Sequence, residues 1–270
     1  MIHKLHGILK ALAPGGVALA YSGGVDSTVL LHALLRLQRE AAFPMTAYYF
    51  RTPLHTAAET QDALAAARKA GIEPVVMEHD PLQLPELRFN PTDRCYRCKH
   101  YMFSSMLQHA RAQGLHAAMD GTNADDLGLY RPGLRALREL GVHSPLAEAG
   151  LSKAQVRELA AEWGLPCSSK PSAPCLATRF DYGTELTEQA LRQAEAGEAV
   201  LHRRYPGRAL RLRVHGSVAR LELPCDLMPR ALSDAPELVR ELRELGYRHV
   251  TLDLLGYRSG SMDEHFSSNA

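Results

Sequence analysis

The sequence predicts an α/β protein: a doubly wound, mostly parallel sheet followed by a smaller α+β domain. Three observations predict it. Short apolar runs alternate with helical ones over the first two thirds of the chain, the order that buries a parallel sheet under helices on both faces. The polar loops "YSGGVDS" and "DGTNADD" fall at the ends of such runs, where doubly wound sheets bind ligands. Past residue 180 the order changes to helix, two strands, helix, strand.

Along the chain, "GVALAYSGG" is a strand ending in a tight turn, and "VDSTVLLHALLRLQRE" is apolar at helical spacing through Val29, Leu30, Ala33, Leu34 and Leu37. "MTAYYF" reads as a strand, "TAAETQDALAAARKAG" as a helix stopped by Gly71, "EPVVMEH" as a strand and residues 97 to 113 as a helix ending before Gly114. "HAAMDGT" is the next strand and "SKAQVRELAAEWG" the next helix. After the Pro-rich "LPCSSKPSAPC" come a helix around 185 to 205, strands "ALRLRVHG" and "VARLELP", a helix near 229 to 245 and the strand "HVTLDLLGY". The expected division is residues 1–180 and 181–270, consistent with domains of roughly 100–150 residues.

Composition excludes several classes. With 46% apolar and 23% charged residues, and 31 basic against 30 acidic side chains, neither disorder nor an electrostatic pull on nucleic acid is expected. No run approaches the ~20 apolar residues of a membrane helix. "MIHKLHGILKALAPGG" has too short an apolar run for a secretory leader. Five cysteines, an odd number, suit metal or catalytic duty better than a disulfide framework. The cytoplasm is the expected compartment, and neither membrane nor nucleic acid an expected partner.

"SGGVDS" at 22 to 27 lies between strand and helix, where unpaired amides and the helix dipole attract an anion. Gly23 and Gly24 permit close backbone approach, Ser22 and Ser27 add hydroxyls, and Asp26 suits a magnesium ion bridging phosphates. The Walker lysine is absent. The hexapeptide resembles the signature of the PP-loop ATP pyrophosphatases, which implies cleavage of ATP to AMP and pyrophosphate. In "MDGTNADD" the resemblance adds Thr122 and Asp126 to the ATP site; Asp125 reads equally well as a cap of the next element.

Seven ordered blocks, "NPTDRCYRCK", "DGTNADD", "RPGLRAL", "SPLAEAGLSKAQVRELAAEWGLP", "KPSAPCLATR", "RLRVHGSVARLE" and "VTLDLLGYRSGSM", resemble the LarE family, ATP-dependent sulfur-insertion enzymes of nickel-pincer nucleotide synthesis. The resemblance implies adenylylation of a carboxylate of pyridinium-3,5-biscarboxylic acid mononucleotide, then replacement of AMP by sulfur to leave a thiocarboxylate. It implies a homo-oligomer, with a hexamer as precedent. Members with only the cysteine of the "CLA[ST]R" block sacrifice its sulfur. Members that also carry a pair like Cys95 and Cys98 hold a [4Fe-4S] cluster through three thiolates, here Cys95, Cys98 and Cys175, leaving one iron open for an extra sulfide. Taken on the residues alone, zinc and a redox dithiol stay open for the CxxC pair. Cys167 and Cys225 read as buried small apolar residues.

In "LRLRVHGS", Arg211 and Arg213 point to one face of a strand, and two guanidiniums at that spacing suit a nucleotide phosphate. An exposed polar face is the alternative. The resemblance puts arginines of this segment on the substrate phosphate, with Glu198 and Asp226 as further candidates. Asp226 also reads as a helix N-cap, Glu198 as solvated helix surface, and Tyr96 as either a ring-stacking or a packing residue. A tRNA thiolase of the same superfamily is the alternative function; it calls for a basic face or an RNA-binding domain, and neither is evident.

Overall fold

The computed structural model describes residues 2–128, 131–171, 174–258 and 260–262; Ser172, Ala173 and Ser259, inside two of the motif blocks, lie outside these. The chain forms two compact units, one of residues 1–81 and 93–173, the other of residues 82–92 and 174–270.

The first unit begins with α1 (Ile2–Leu12), β1 (Val17–Ala20), α2 (Val25–Glu40), β2 (Met45–Arg51), α3 (Ala57–Lys69) and β3 (Val75–Glu78). The chain then leaves for the second unit, where α4 (Pro85–Arg88) is a single turn. It returns with α5 (Arg94–Ala112), β4 (Ala117–Met119), α6 (Pro132–Glu139), the turn α7 (Pro145–Glu148) and α8 (Lys153–Glu162). The four strands are parallel, in the order β3-β2-β1-β4.

Alternation along the strands supplies both faces. Val17, Leu19, Ala47, Tyr49 and Met119 join α1, α2 and α8 in one core, while Ala18, Tyr48, Phe50 and Ala118 meet Phe103, Met106 and Ala110 of α5 in the other. α3 and α8 each open with a capping box, Thr56 with Glu59 and Ser152 with Gln155, so their first amides are satisfied locally.

α5 starts three residues earlier than its periodicity indicates, which carries both cysteines of the CxxC pair inside the helix. The helix expected near 229 to 245 is two, α10 (Met228–Ser233) and α11 (Ala235–Glu244). Pro236 in the first turn of α11 has no amide to continue the preceding helix.

The second unit is completed by α9 (Glu188–Arg204), β5 (Arg211–His215), β6 (Val218–Glu222) and β7 (His249–Leu252). β5 and β6 are antiparallel, β6 and β7 parallel. Gly197 brings α9 close to β5, since a Cβ there would lie 2.6 Å from Leu212 Cδ1. That approach lets the next residue, Glu198, reach the strand. Segment 82–92 is fastened to this unit: Asn90 Nδ2 donates to the carbonyls of Phe180 (3.0 Å) and Asp181 (2.9 Å), and Leu186 N–H to that of Arg88 (2.7 Å).

Candidate active site

Residues 21–24 turn the chain from β1 into α2. Gly23 has φ +73°, and a Cβ there would sit 2.4 Å from that of Ala63 on α3, so both backbone and space require glycine. Ser27 is buried; its hydroxyl donates to Gly24 O (3.2 Å) and accepts from Ser22 N (3.2 Å), while Ser22 Oγ lies 3.1 Å from Ser27 Oγ. The loop is held in shape by its own side chains, with Gly24 at the N-cap of a 16-residue helix. Such an end binds anions.

Asp26, in the first turn of α2, accepts from Asn123 Nδ2 (3.2 Å) and pairs with Lys153 Nζ. Lys153 opens α8, whose first amide is taken by Asp125 (2.9 Å). Asp126 accepts from Asn123 N–H (3.1 Å) and pairs with Arg131 (2.9 Å). Thr122 is buried and donates through N–H (3.1 Å) and hydroxyl (2.6 Å) to Asp120. Asp26, Thr122 and Asp126 thus occupy one corner of the unit, at the carboxyl ends of β1 and β4. Asp125 bonds not the next element, as the sequence allowed, but the first amide of α8, 28 residues on, and Asp126 holds the turn together. Sequence reasoning passed over Lys153, Asn123 and Asp120. The available signal was "LSK", a capping serine followed by a cation at a helix start.

Cys95 is exposed and Cys98 half-buried, one turn apart at the start of α5. The buried Arg94 points Nη2 at Cys95 Sγ (3.9 Å). Arg97 makes two 2.8 Å bonds to Asp93, which hold that carboxyl below its ordinary range. Tyr96 is a packing residue: its hydroxyl donates to Glu139 (2.7 Å), and the Arg135 guanidinium lies 3.7 Å from its ring centre. A stacking role is therefore already filled by Arg135. Cys167 packs on the core with its thiol pKa pushed up by burial, whereas Cys225 is exposed, unlike the buried residue expected. Among the described residues no three His, Cys, Asp or Glu side chains form a metal-holding group.

In the second unit, Cys175 precedes a 3-10 turn (Leu176–Arg179), and its carbonyl accepts from Thr178 N–H (3.0 Å), Thr178 Oγ1 (2.9 Å) and Arg179 Nη1 (3.1 Å). Arg179 is buried and makes a fork on Glu198 through Nε (3.1 Å) and Nη2 (2.6 Å). Glu198 is buried, not solvated, and also accepts from Leu212 N–H (3.1 Å). Arg211 and Arg213 are each 7% exposed, which corrects the alternative of an open polar face. Arg213 is committed to Glu222 (3.0 and 3.2 Å), to Ser261 (2.8 Å) and to the Thr178 carbonyl. Among the described residues Arg211 pairs only with Glu198, at 3.5 Å. Three buried guanidiniums, Arg179, Arg211 and Arg213, therefore face two buried carboxylates, Glu198 and Glu222. Asp226 stands apart, exposed, paired with Arg208 at 2.7 Å, whose hydrogen bonds lower its pKa; no side-chain cap is made there.

A parallel α/β sheet with a self-bonded Ser-Gly-Gly loop, no Walker lysine, and an aspartate at the first helical turn defines a PP-loop nucleotide enzyme. No family model matches the chain. Similarity to individual proteins is extensive. An uncharacterized protein of Synechocystis is 38% identical over 247 residues, 91% of either chain. The pyridinium-3,5-bisthiocarboxylic acid mononucleotide synthase of Lactiplantibacillus plantarum is 36% identical over 249 residues, 92% of this chain and 89% of its own. A tRNA(Ile)-lysidine synthase of Pseudomonas aeruginosa is 44% identical over 72 residues, 24% of this chain and 16% of its own. The chain belongs to the LarE family of ATP-dependent sulfurtransferases. No described helix is long and apolar enough to cross a membrane.

Proposed function

We infer that the protein adenylylates a carboxylate of pyridinium-3,5-biscarboxylic acid mononucleotide and replaces AMP with sulfur. A carboxylate oxygen of the substrate attacks the α-phosphorus of ATP and pyrophosphate leaves. A sulfur nucleophile then adds to the carbonyl carbon of the acyl adenylate, AMP departs, and a thiocarboxylate remains. The carboxylate needs this activation because its own oxygen is a poor leaving group. The observation that carries the reading is the meeting of Asp26, Asn123 and Lys153 beside the glycine loop.

Ser22, Gly23, Gly24 and Ser27 bind the leaving pyrophosphate through amides and hydroxyls. Lys153, released from Asp26, neutralises it. Asp26 is a hard oxygen donor and fits Mg²⁺, which offsets phosphate charge when bound; Thr122 and Asp126 hold the neighbouring turn. Arg211, the under-paired buried cation, takes the phosphate of the substrate, with Arg213 and Glu198 fixing its strand. Asp226, exposed and paired with Arg208, is the remaining candidate contact to the substrate. Residues 181–270 serve as the substrate-binding and oligomerisation part, with a homo-oligomer as the working assembly. The near-neutral charge balance supports a small nucleotide as substrate and not a nucleic acid.

The thiols of Cys95, Cys98 and Cys175 fit a [4Fe-4S] cluster as a donor set: none of the three is in a disulfide, and two lie one turn apart on α5. Bound there, such a cluster supplies a labile sulfide. Iron and acid-labile sulfide in anaerobically purified wild type and Cys175→Ala test this, with roughly four irons per wild-type chain expected. Iron-free protein that has lost one sulfur atom by mass after a single turnover would replace the cluster with sacrifice of Cys175. Asp26→Ala should abolish pyrophosphate release; unchanged release would remove Asp26 from the site.

A further inference from the structure

The geometry points to Asp120 as a positioning residue that, through Lys99, couples occupancy of the nucleotide loop to the setting of Cys98. The inference rests on the ATP reading of that loop and deepens it.

Asp120 follows β4 and is 6% exposed. Its Oδ1 accepts from Thr122 N–H (3.1 Å) and Ser144 Oγ (2.7 Å). Its Oδ2 accepts from Thr122 Oγ1 (2.6 Å) and faces Lys99 Nζ at 3.6 Å. Thr122 thus holds both oxygens, the start of α7 reaches Oδ1, and the cysteine helix faces Oδ2, so one carboxylate ties the loop to Lys99. The loop continues directly to Asn123, which donates to Asp26. On the other side, Lys99 is the residue after Cys98 in the first two turns of α5.

The lysine stem has little freedom. α6 passes over it at Gly133, where a Cβ would lie 2.8 Å from Lys99 Cδ and 3.3 Å from the Cys95 carbonyl. Gly121 fits as closely on the other side of the link, since a Cβ there would lie 2.8 Å from Ser27 N. A pyrophosphate bound on the glycine loop displaces Lys153 from Asp26, moves Asn123 and hence the 120–123 turn. Asp120 passes that movement to Lys99, whose confined stem shifts the turn of α5 bearing Cys98. All the residues named belong to one unit.

Asp120→Asn isolates the link. Its carbonyl keeps Thr122 N–H and Ser144, its amide offers a hydrogen to the Thr122 hydroxyl, and the same amide opposes the ammonium of Lys99. The test uses the full-length chain, reduced and treated with a chelator, with iodoacetamide as probe and peptide mass as readout. A non-hydrolysable ATP analogue with Mg²⁺ should change the alkylation rate of Cys98 by about fivefold in the wild type. Asp120→Asn and Lys99→Met should each abolish that change while still binding the analogue, Lys99→Arg should restore it, and the double variant should add nothing to either single one. A nucleotide-dependent change that persists in Asp120→Asn or Lys99→Met, or additive effects in the double variant, would overturn the coupling. An analogue that binds the wild type and leaves Cys98 unchanged would also overturn it. An analogue that does not bind the wild type would overturn the ATP reading itself.

Discussion

Gly23 in the first unit and Arg211 in the second are positions where a single substitution has a distinct expected outcome. At Gly23 a methyl group meets Ala63 and the backbone is left-handed. Gly23→Ala should therefore cost about 1–3 kcal/mol of stability and abolish nucleotide binding, read by urea denaturation and titration calorimetry. Arg211 has a different logic. Removing Glu198 or Arg179 breaks a buried fork and should cost about 3–5 kcal/mol. Among the described residues Arg211 is the third buried guanidinium against two buried carboxylates, so Arg211→Gln should destabilise far less than Arg179→Gln, and should act on KM for the substrate nucleotide. Equal losses of stability in the two variants would refute the excess-charge account. Legibility at this scale depended on reach. The glycine loop is local in sequence and was readable, whereas Lys153 lies 127 positions from Asp26 and no spacing rule connects them. The period-two pattern put Arg211 and Arg213 on one face but carried no information on whether that face is covered.

At the scale of elements, the end of β3 carries one pH sensitivity of the first unit. His79 is 6% exposed, with neither ring nitrogen hydrogen-bonded among the described residues, and is packed edge-on against Phe50 and Tyr101. Burial lowers its pKa, against a smaller upward pull from Glu78. The unfolded imidazole titrates near ~6.5, so below that pH the unfolded chain takes up the proton first. Stability therefore falls with pH until the folded pKa is reached. His79→Phe should flatten this acid limb in denaturation measured from pH 7 to 5. The α8 cap is a second case: Ser152→Ala should cost about 1 kcal/mol and, by loosening Lys153, weaken pyrophosphate release more than urea stability suggests. β1, β2 and β4 were legible because largely buried strands read as apolar runs, and the half-buried edge strand β3 because of its Val-Val-Met run. α1 was not, because its buried stripe is only Leu5 and Leu9 amid basic residues, and α6 begins with Pro-Gly, a turn signal.

For the whole molecule, the second unit is discontinuous in sequence. Its part after residue 174 depends on 82–92 for the Asn90 bonds and for the pair of Arg88 with Glu185. A fragment of residues 174–270 should be unfolded by circular dichroism and gain structure when a peptide of residues 82–92 is added; a fragment folded alone would contradict this. Sequence order alone puts the change of architecture near 180 and gives no sign that a segment some 90 residues upstream belongs to the C-terminal unit, because the fastening bonds join residues some 90 positions apart and no spacing rule connects them.

The same discontinuity constrains biosynthesis. Residues 82–92 leave the ribosome before any of their partners exist, and at 5–20 residues per second they wait roughly 5–15 s for the stretch beyond 174. During that interval Asn90, whose φ of +47° is costly for a side-chain residue, has no carbonyls to hold. The nascent first unit must fold while the connection between its two segments still awaits the unit to which it belongs.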